Sequence, residues 1–213
     1  MAIQTQGFSG IVPEVDTTFR AQRLTVRPQE VVSWLSAGAP SGALTGAAAN
    51  TAVFSFRNLA ANLIVVRRIG VGYVTTTAFT TAQQVDFGLM VARSFTASDT
   101  GGTAIAFTGS NCKHRTSLTT PTSLDCRIAT TGALTAGTKT LDTNHISQTG
   151  GFSSGAGAGL AIATNNLLSH DTGDYPLVLA QNEGFNVMNL TALGAAGVIK
   201  LYVNIEFAEA AAY

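Results

Sequence analysis

Charge is what this chain has least of. Of its 213 residues only 11% are Asp, Glu, Lys or Arg and 46% are hydrophobic, against roughly 25% charged in an ordinary soluble domain. The twelve basic and twelve acidic residues cancel. A balanced chain lacks the clustered cations that displace counterions from phosphates, so nucleic acid is not expected as a partner. Cysteine is scarce too: Cys112 and Cys126 are too few for a disulfide framework, and reduced thiols are expected in a cytosolic producer. Long apolar runs are missing. "NLIVV" (62–66) is far too short to span a bilayer, and "MAIQTQGFSG" has neither the basic start nor the apolar core of a secretion signal. A chain made and used without secretion or a membrane partner is expected. Helix signals are nearly absent. Only "RPQEVVSWLSAG" (27–38), with Pro28 at a first turn and Gly38 at a stop, could make two turns. Its Val31, Val32 and Trp34 suit a strand after a short turn, which is the reading preferred here.

What is present is strand periodicity. In "VIKLYVNIEF" (198–207), Ile199, Leu201, Val203, Ile205 and Phe207 alternate with Lys200, Tyr202, Asn204 and Glu206, which puts the aliphatics on one face. Shorter runs recur in "AVFSFR" (52–57), "LIVVRRIGVGYV" (63–74), "VDFGLMVARSF" (85–95), "LDCRIA" (124–129) and the arms flanking Glu183. They give about eight to ten strands at irregular spacing, hence an all-β sandwich, jelly roll or closed barrel in a single domain over 29–213. "SAGAPSGALTGAAAN" (36–50) and "SQTGGFSSGAGAG" (147–159) are so rich in Gly, Ala and Ser that they read as long surface loops. Residues 1–28, weakly patterned and carrying Arg20, Arg23 and Arg27, read as an extended N-terminal arm. Residues 1–72 hold six arginines against three acids, and the remainder six basic residues against nine acids. This split either orients neighbouring copies head to tail or is a solvated scatter.

None of the chemical motifs assembles a site. "QNEG" (181–184) has the Asn, acid and Gly of a tight connection, with Gly184 taking positive φ and Glu183 solvated. "GFSSG" (151–155) matches a nucleophile elbow with Ser153 in place and His170 as a conceivable base, but neither the preceding apolar strand nor the following helix is there. "GAGAG" (155–159) lacks the Lys-Ser or Lys-Thr of a phosphate loop, and Cys112, His114, Cys126 and His145 lack the paired spacing of a zinc site. "NLT" (189–191) is formally a glycosylation acceptor, unused without secretion. No catalytic residue, cofactor, metal or small-molecule substrate is expected.

Several stretches, taken in order, resemble one group of proteins. They are "FRAQRLTVRP" (19–28), "VARSFTASDTGGTA" (91–104), "TTGALTAGTKTLD" (130–142), "YPLVLAQNEGF" (175–185) and "KLYVNIEFAEAAAY" (200–213). The chain is similar to the cement or decoration proteins of tailed-bacteriophage heads, capsid accessory proteins encoded beside the major capsid protein. The resemblance implies a jelly-roll-like β-sandwich on the outer surface of the virion, made in the bacterial host cytoplasm. It further implies binding to the major capsid protein, tying of adjacent subunits, and self-association as a homotrimer. Arg20, Arg23, Arg27 and Pro28 match the group's basic arm, for which contact with capsid or neighbour is implied, and 181–185 match its late hairpin. Cys112, His114, Cys126 and Trp34 depart from the pattern. The alternative class is a tail, baseplate or fibre protein that recognises a host, since such modules are also Thr- and Gly-rich β structures.

Overall fold

The computed structural model describes residues 35–107, 112–114, 121, 123–153, 155, 161–169 and 176–211. Twelve strands follow one another: β1 Leu35–Pro40, β2 Thr51–Asn58, β3 Leu63–Thr77, β4 Gln83–Phe95, β5 Thr103–Ala104, β6 Leu124–Ile128, β7 Lys139–Leu141, β8 Ser147–Ser153, β9 Ala161–Ser169, β10 Leu177–Leu179, β11 Gly184–Asn189 and β12 Val198–Ala210. No helix occurs among the described residues. The 1–28 arm with Arg20, Arg23 and Arg27, and the expected strand residues Val31, Val32 and Trp34, lie outside the described residues.

The strands form two antiparallel sheets. One runs β1-β12-β3-β10, with β9 also on β3; the other runs β5-β6-β2-β11-β4-β7, with β8 also on β4. The last two long strands are each inserted between early ones, β12 between β1 and β3 and β11 between β2 and β4. The first and last described strands, β1 and β12, are therefore neighbours, with β1 at the edge of its sheet. The period-two pattern gives each sheet one apolar face that must be buried against the other. Phe54, Phe56, Phe87 and Phe185 from one sheet meet Ile199, Leu201, Val203 and Phe207 from the other in a single core. Phe56 packs edge-on to Phe207 at 5.2 Å and Tyr73 to Phe87 at 5.9 Å, both across the two layers.

The all-β sandwich expected from the sequence is therefore the observed architecture, with corrections in detail. The eight to ten strands become twelve because β5, β7 and β10, of two or three residues each, are too short to show a period. The two stretches read as loops contain β1 and β8. In β1, Leu35 and Ala37 turn inward and Ser36 and Gly38 outward, so small residues hide a normal alternation. β8 pairs with β4 from Gln83↔Ser153 to Leu89↔Ser147 although it contributes little to the core. Its glycines allow the close approach: a Cβ on Gly150 would stand 2.7 Å from Cβ of Asp86.

The late hairpin is also corrected. β10 pairs with β3 and β11 with β2 and β4, so "QNEG" carries the chain from one sheet to the other. The positive φ falls on Asn182, at 64°, and not on Gly184. Asn is among the residues that tolerate this region. Gly184 is required for a different reason, a close backbone contact with Phe56.

Candidate interaction surface

The alternation in β12 that buries Ile199, Leu201 and Val203 sends Lys200, Tyr202 and Asn204 outward. Register places Tyr202 between Pro40 of β1 and Gly72 of β3, and Asn204 between Gly38 and Gly70. Flanking residues this small leave Tyr202 standing on a flat floor, 42% exposed. The Asn204 side chain lies over Gly38, its Oδ1 2.6 Å from where a Cβ on that glycine would stand. Farther along, Glu206 is nearly buried and pairs with Arg67 at 3.2 Å and Arg68 at 4.0 Å. The face that remains is weakly charged, with Lys200 at one end, and centred on one aromatic ring.

A second surface lies on the outside of the other sheet. Gln84 and Asp86 of β4 stand opposite Phe152 and Gly150 of β8. Together with Gln148 and Leu190 they line an open groove of about 500 Å³. Phe152, 63% exposed, is the most exposed large hydrophobic residue among those described. Gln84 donates to Oδ2 of Asp86 at 2.9 Å, while Oδ1 of Asp86 is buried without a partner.

A buried polar cluster lies on the outer side of β2 and β11, in the same sheet as the groove. Phe185 and Val187 point into the core, so Asn186 points away from it. The segment after β4 covers Asn186 and brings Asp99 to it. Nδ2 of Asn186 donates to Oδ2 of Asp99 at 2.7 Å, the Gly137 amide donates to Oδ1 at 2.7 Å, and the Lys139 ammonium donates to the same Oδ1. The side chain of Asp99 is 0% exposed and that of Lys139 6%. Arg57 continues the cluster, donating to Ser98 Oγ at 2.9 Å, the Phe95 carbonyl at 3.0 Å and Oδ1 of Asn182 at 2.6 Å. The Phe95 ring lies against both cations, 5.6 Å from the Arg57 guanidinium carbon and 5.4 Å from Nζ of Lys139. Burial by itself would raise the Asp99 carboxyl; hydrogen bonds from Lys139, Gly137, Ser55 and Asn186 more than offset it and hold the group below the usual carboxylate range.

The residues singled out in the sequence are scattered. Ser153 ends β8 with its hydroxyl buried, 3.4 Å from Oγ1 of Thr75, and His170 lies outside the described residues. Glu183 accepts from the Ala180 amide at 2.7 Å, a turn-closing contact. Asn189 of "NLT" is fully buried and donates to the carbonyls of Ala48 and Thr191. His114 meets Oγ of Ser36 at 2.7 Å. Among the described residues no group of three or more His, Cys, Asp and Glu is placed to hold a metal. What the sequence reading missed is the Asp99 cluster and the Phe152 groove. Asp99 was given no role in the sequence reading, and Phe152 sat inside the stretch read as a long surface loop.

Cys112 is exposed and Cys126 buried, and both are free thiols. Burial, aided by the charge of Asp125, pushes the Cys126 thiol well above its usual range. Thiolate is the reactive form, so the two should differ sharply. Native alkylation followed by mass measurement should show one rapid adduct, on Cys112, and a second only after unfolding. Equal rates at both thiols in the folded protein would contradict the placement of β6.

Comparison with protein families, curated proteins and solved structures finds no match for this chain.

Proposed function

We propose that the chain is a virion structural protein, a head cement or decoration protein of a tailed phage. In this reading it sits on the outer capsid surface, self-associates as a trimer, and ties adjacent major capsid subunits together. The observation that carries the reading is the face built on β1, β12 and β3, where Tyr202 rises from a floor of Gly38, Pro40, Gly70 and Gly72. Tyr is favoured at protein interfaces because it buries a large ring at low entropic cost, and a neutral floor loses little hydration when covered. The strand order supports it too: β1, β12, β3, β9 against β2, β11, β4, β8 is read here as the double wrapping of a jelly roll. A shell under internal pressure is strengthened by any protein whose binding energy is lost when subunits separate. Many weak copies suffice, because multivalent attachment multiplies modest affinities.

Co-sedimentation with bare expanded shells tests the reading. Tyr202→Glu should lower binding at least about tenfold, as expected for a central aromatic anchor, without lowering the melting temperature. Neutralising Arg20, Arg23 and Arg27 should weaken binding mildly and in a salt-dependent way. Undiminished binding by Tyr202→Glu would remove this face from the mechanism.

The groove beside Phe152 favours one other reading, a tail or fibre protein that recognises a host. An exposed ring beside a carboxylate and two carboxamides is the kind of surface on which a sugar can stack and hydrogen-bond.

A further inference from the structure

The geometry points to a covalent amide cross-link between Lys139 and Asp99, formed within the folded chain. Lys139 opens β7, which pairs with the end of β4 at Phe95↔Lys139, and Asp99 lies four residues beyond Phe95. The two segments are clamped along their length. Thr96 donates to the Thr138 carbonyl at 2.9 Å, and Thr100 and Thr135 exchange two backbone hydrogen bonds of 2.9 and 3.0 Å. Nζ of Lys139 is therefore held against the Asp99 carboxyl by backbone on both sides, and both side chains are shut away from water. Fixing two reacting groups in contact replaces a bimolecular encounter by an intramolecular one, and excluding water removes the competing solvation of both ions.

The surrounding donors divide the two carboxyl oxygens into separate roles. Oδ1 faces the amine and takes the Gly137 amide, while Oδ2 takes Nδ2 of Asn186. One proton passes from Nζ to Oδ1 to give the neutral amine and acid, a transfer eased by the exclusion of water although the donors around Asp99 favour its carboxylate form. Nζ then attacks Cγ, the C–N bond forms, and the negative charge collects on Oδ2, where the Asn186 amide stabilises it as an oxyanion-hole donor does. A second proton moves from nitrogen to Oδ1, the Cγ–Oδ1 bond breaks, and that oxygen leaves as water. Ammonium plus carboxylate gives amide plus water. No oxidant, reductant or co-reactant takes part. Gly137 is required beside this pair, since a Cβ there would stand 2.3 Å from the Ala97 carbonyl oxygen and 2.4 Å from that of Ser98.

The product would close the segment from residue 99 to residue 139, which contains β5 and β6 of the seven-stranded sheet, into a covalent loop. Intact mass spectrometry of the denatured full chain tests it. The mass should fall short of the sequence mass by one water, about 18 Da. Tryptic digestion should leave the chain uncut after Lys139 and yield one peptide pair joined between residues 99 and 139. Lys139→Arg, which keeps the charge but cannot form this amide, should restore the full mass and run more slowly on a denaturing gel. The full sequence mass in the parent protein, with cleavage after Lys139, would overturn the proposal whatever the variant does. A loss of one ammonia, about 17 Da, with the join at residue 186, would assign the bond to Asn186 and overturn it equally.

Discussion

Replacing Gly184 by valine is expected to cost the fold at least about 3 kcal/mol, because overpacking here meets main chain that cannot move aside. Gly184 lies in the sheet interior, paired with Arg57 of β2 on one side and Ala92 of β4 on the other. A Cβ at this position would stand 2.0 Å from the Phe56 carbonyl oxygen and 2.9 Å from Cε2 of Phe95. To relieve that contact the central strands β2 and β11 would have to separate, losing the stacking of Phe56 on Phe185 at 5.2 Å. For a domain of this size a melting temperature lower by about 6–12 °C is expected. Glu183→Gln, one residue away, should be near neutral, since a carboxamide oxygen can still accept from the Ala180 amide. If the two variants melted alike, the close contact of Gly184 with Phe56 would be wrong.

Asp99→Ala should be comparably damaging, at about 3–5 kcal/mol, the range for breaking a buried charge pair from one side, and it also removes the carbonyl carbon to which Lys139 would be joined. The substitution leaves Lys139 buried beside Phe95 without its carboxyl, and also strips the acceptor from the Gly137 amide and the Asn186 carboxamide. Replacing both partners, Asp99→Leu with Lys139→Met, should recover part of the loss because no unpaired charge stays behind. Denaturant unfolding of the two variants measures this. A loss within about 0.5 kcal/mol of the parent for Asp99→Ala, typical of a surface position, would mean that the segment after β4 does not cover the sheet.

Strands that bury one face strictly announce themselves, and those were legible. β12 shows five alternating aliphatic and aromatic positions, and the quoted runs in β2, β3 and β4 fall inside the observed strands, while that in β6 overruns its end by one residue, Ala129. β1 and β8 were not legible. Their pattern is carried by Ala, Ser and Gly, and what holds β8 in place is backbone pairing with β4, which leaves no period in the side chains. The partner of a strand was equally hidden. "LVLA" and "FNVMNL", adjacent in sequence, belong to different sheets, because an insertion between β2 and β4 depends on contacts far along the chain and not on the connecting turn. The Asp99 cluster draws on four separate segments, and each residue alone has an ordinary surface reading. Tyr202 was visible as an outward residue of β12, but not its floor, which depends on the registers of β1 and β3.

The proposed role sets the number of copies a particle must carry, since a protein that ties adjacent capsid subunits has to be present wherever those subunits meet. Quantifying this chain against the major capsid protein in purified particles is the most direct measurement. A copy number comparable with that of the capsid protein is predicted, with the chain released together with the outer surface of the shell. A copy number that is a small fraction of the capsid protein's, with the chain retained on detached tails, would contradict the account and move the molecule to the tail.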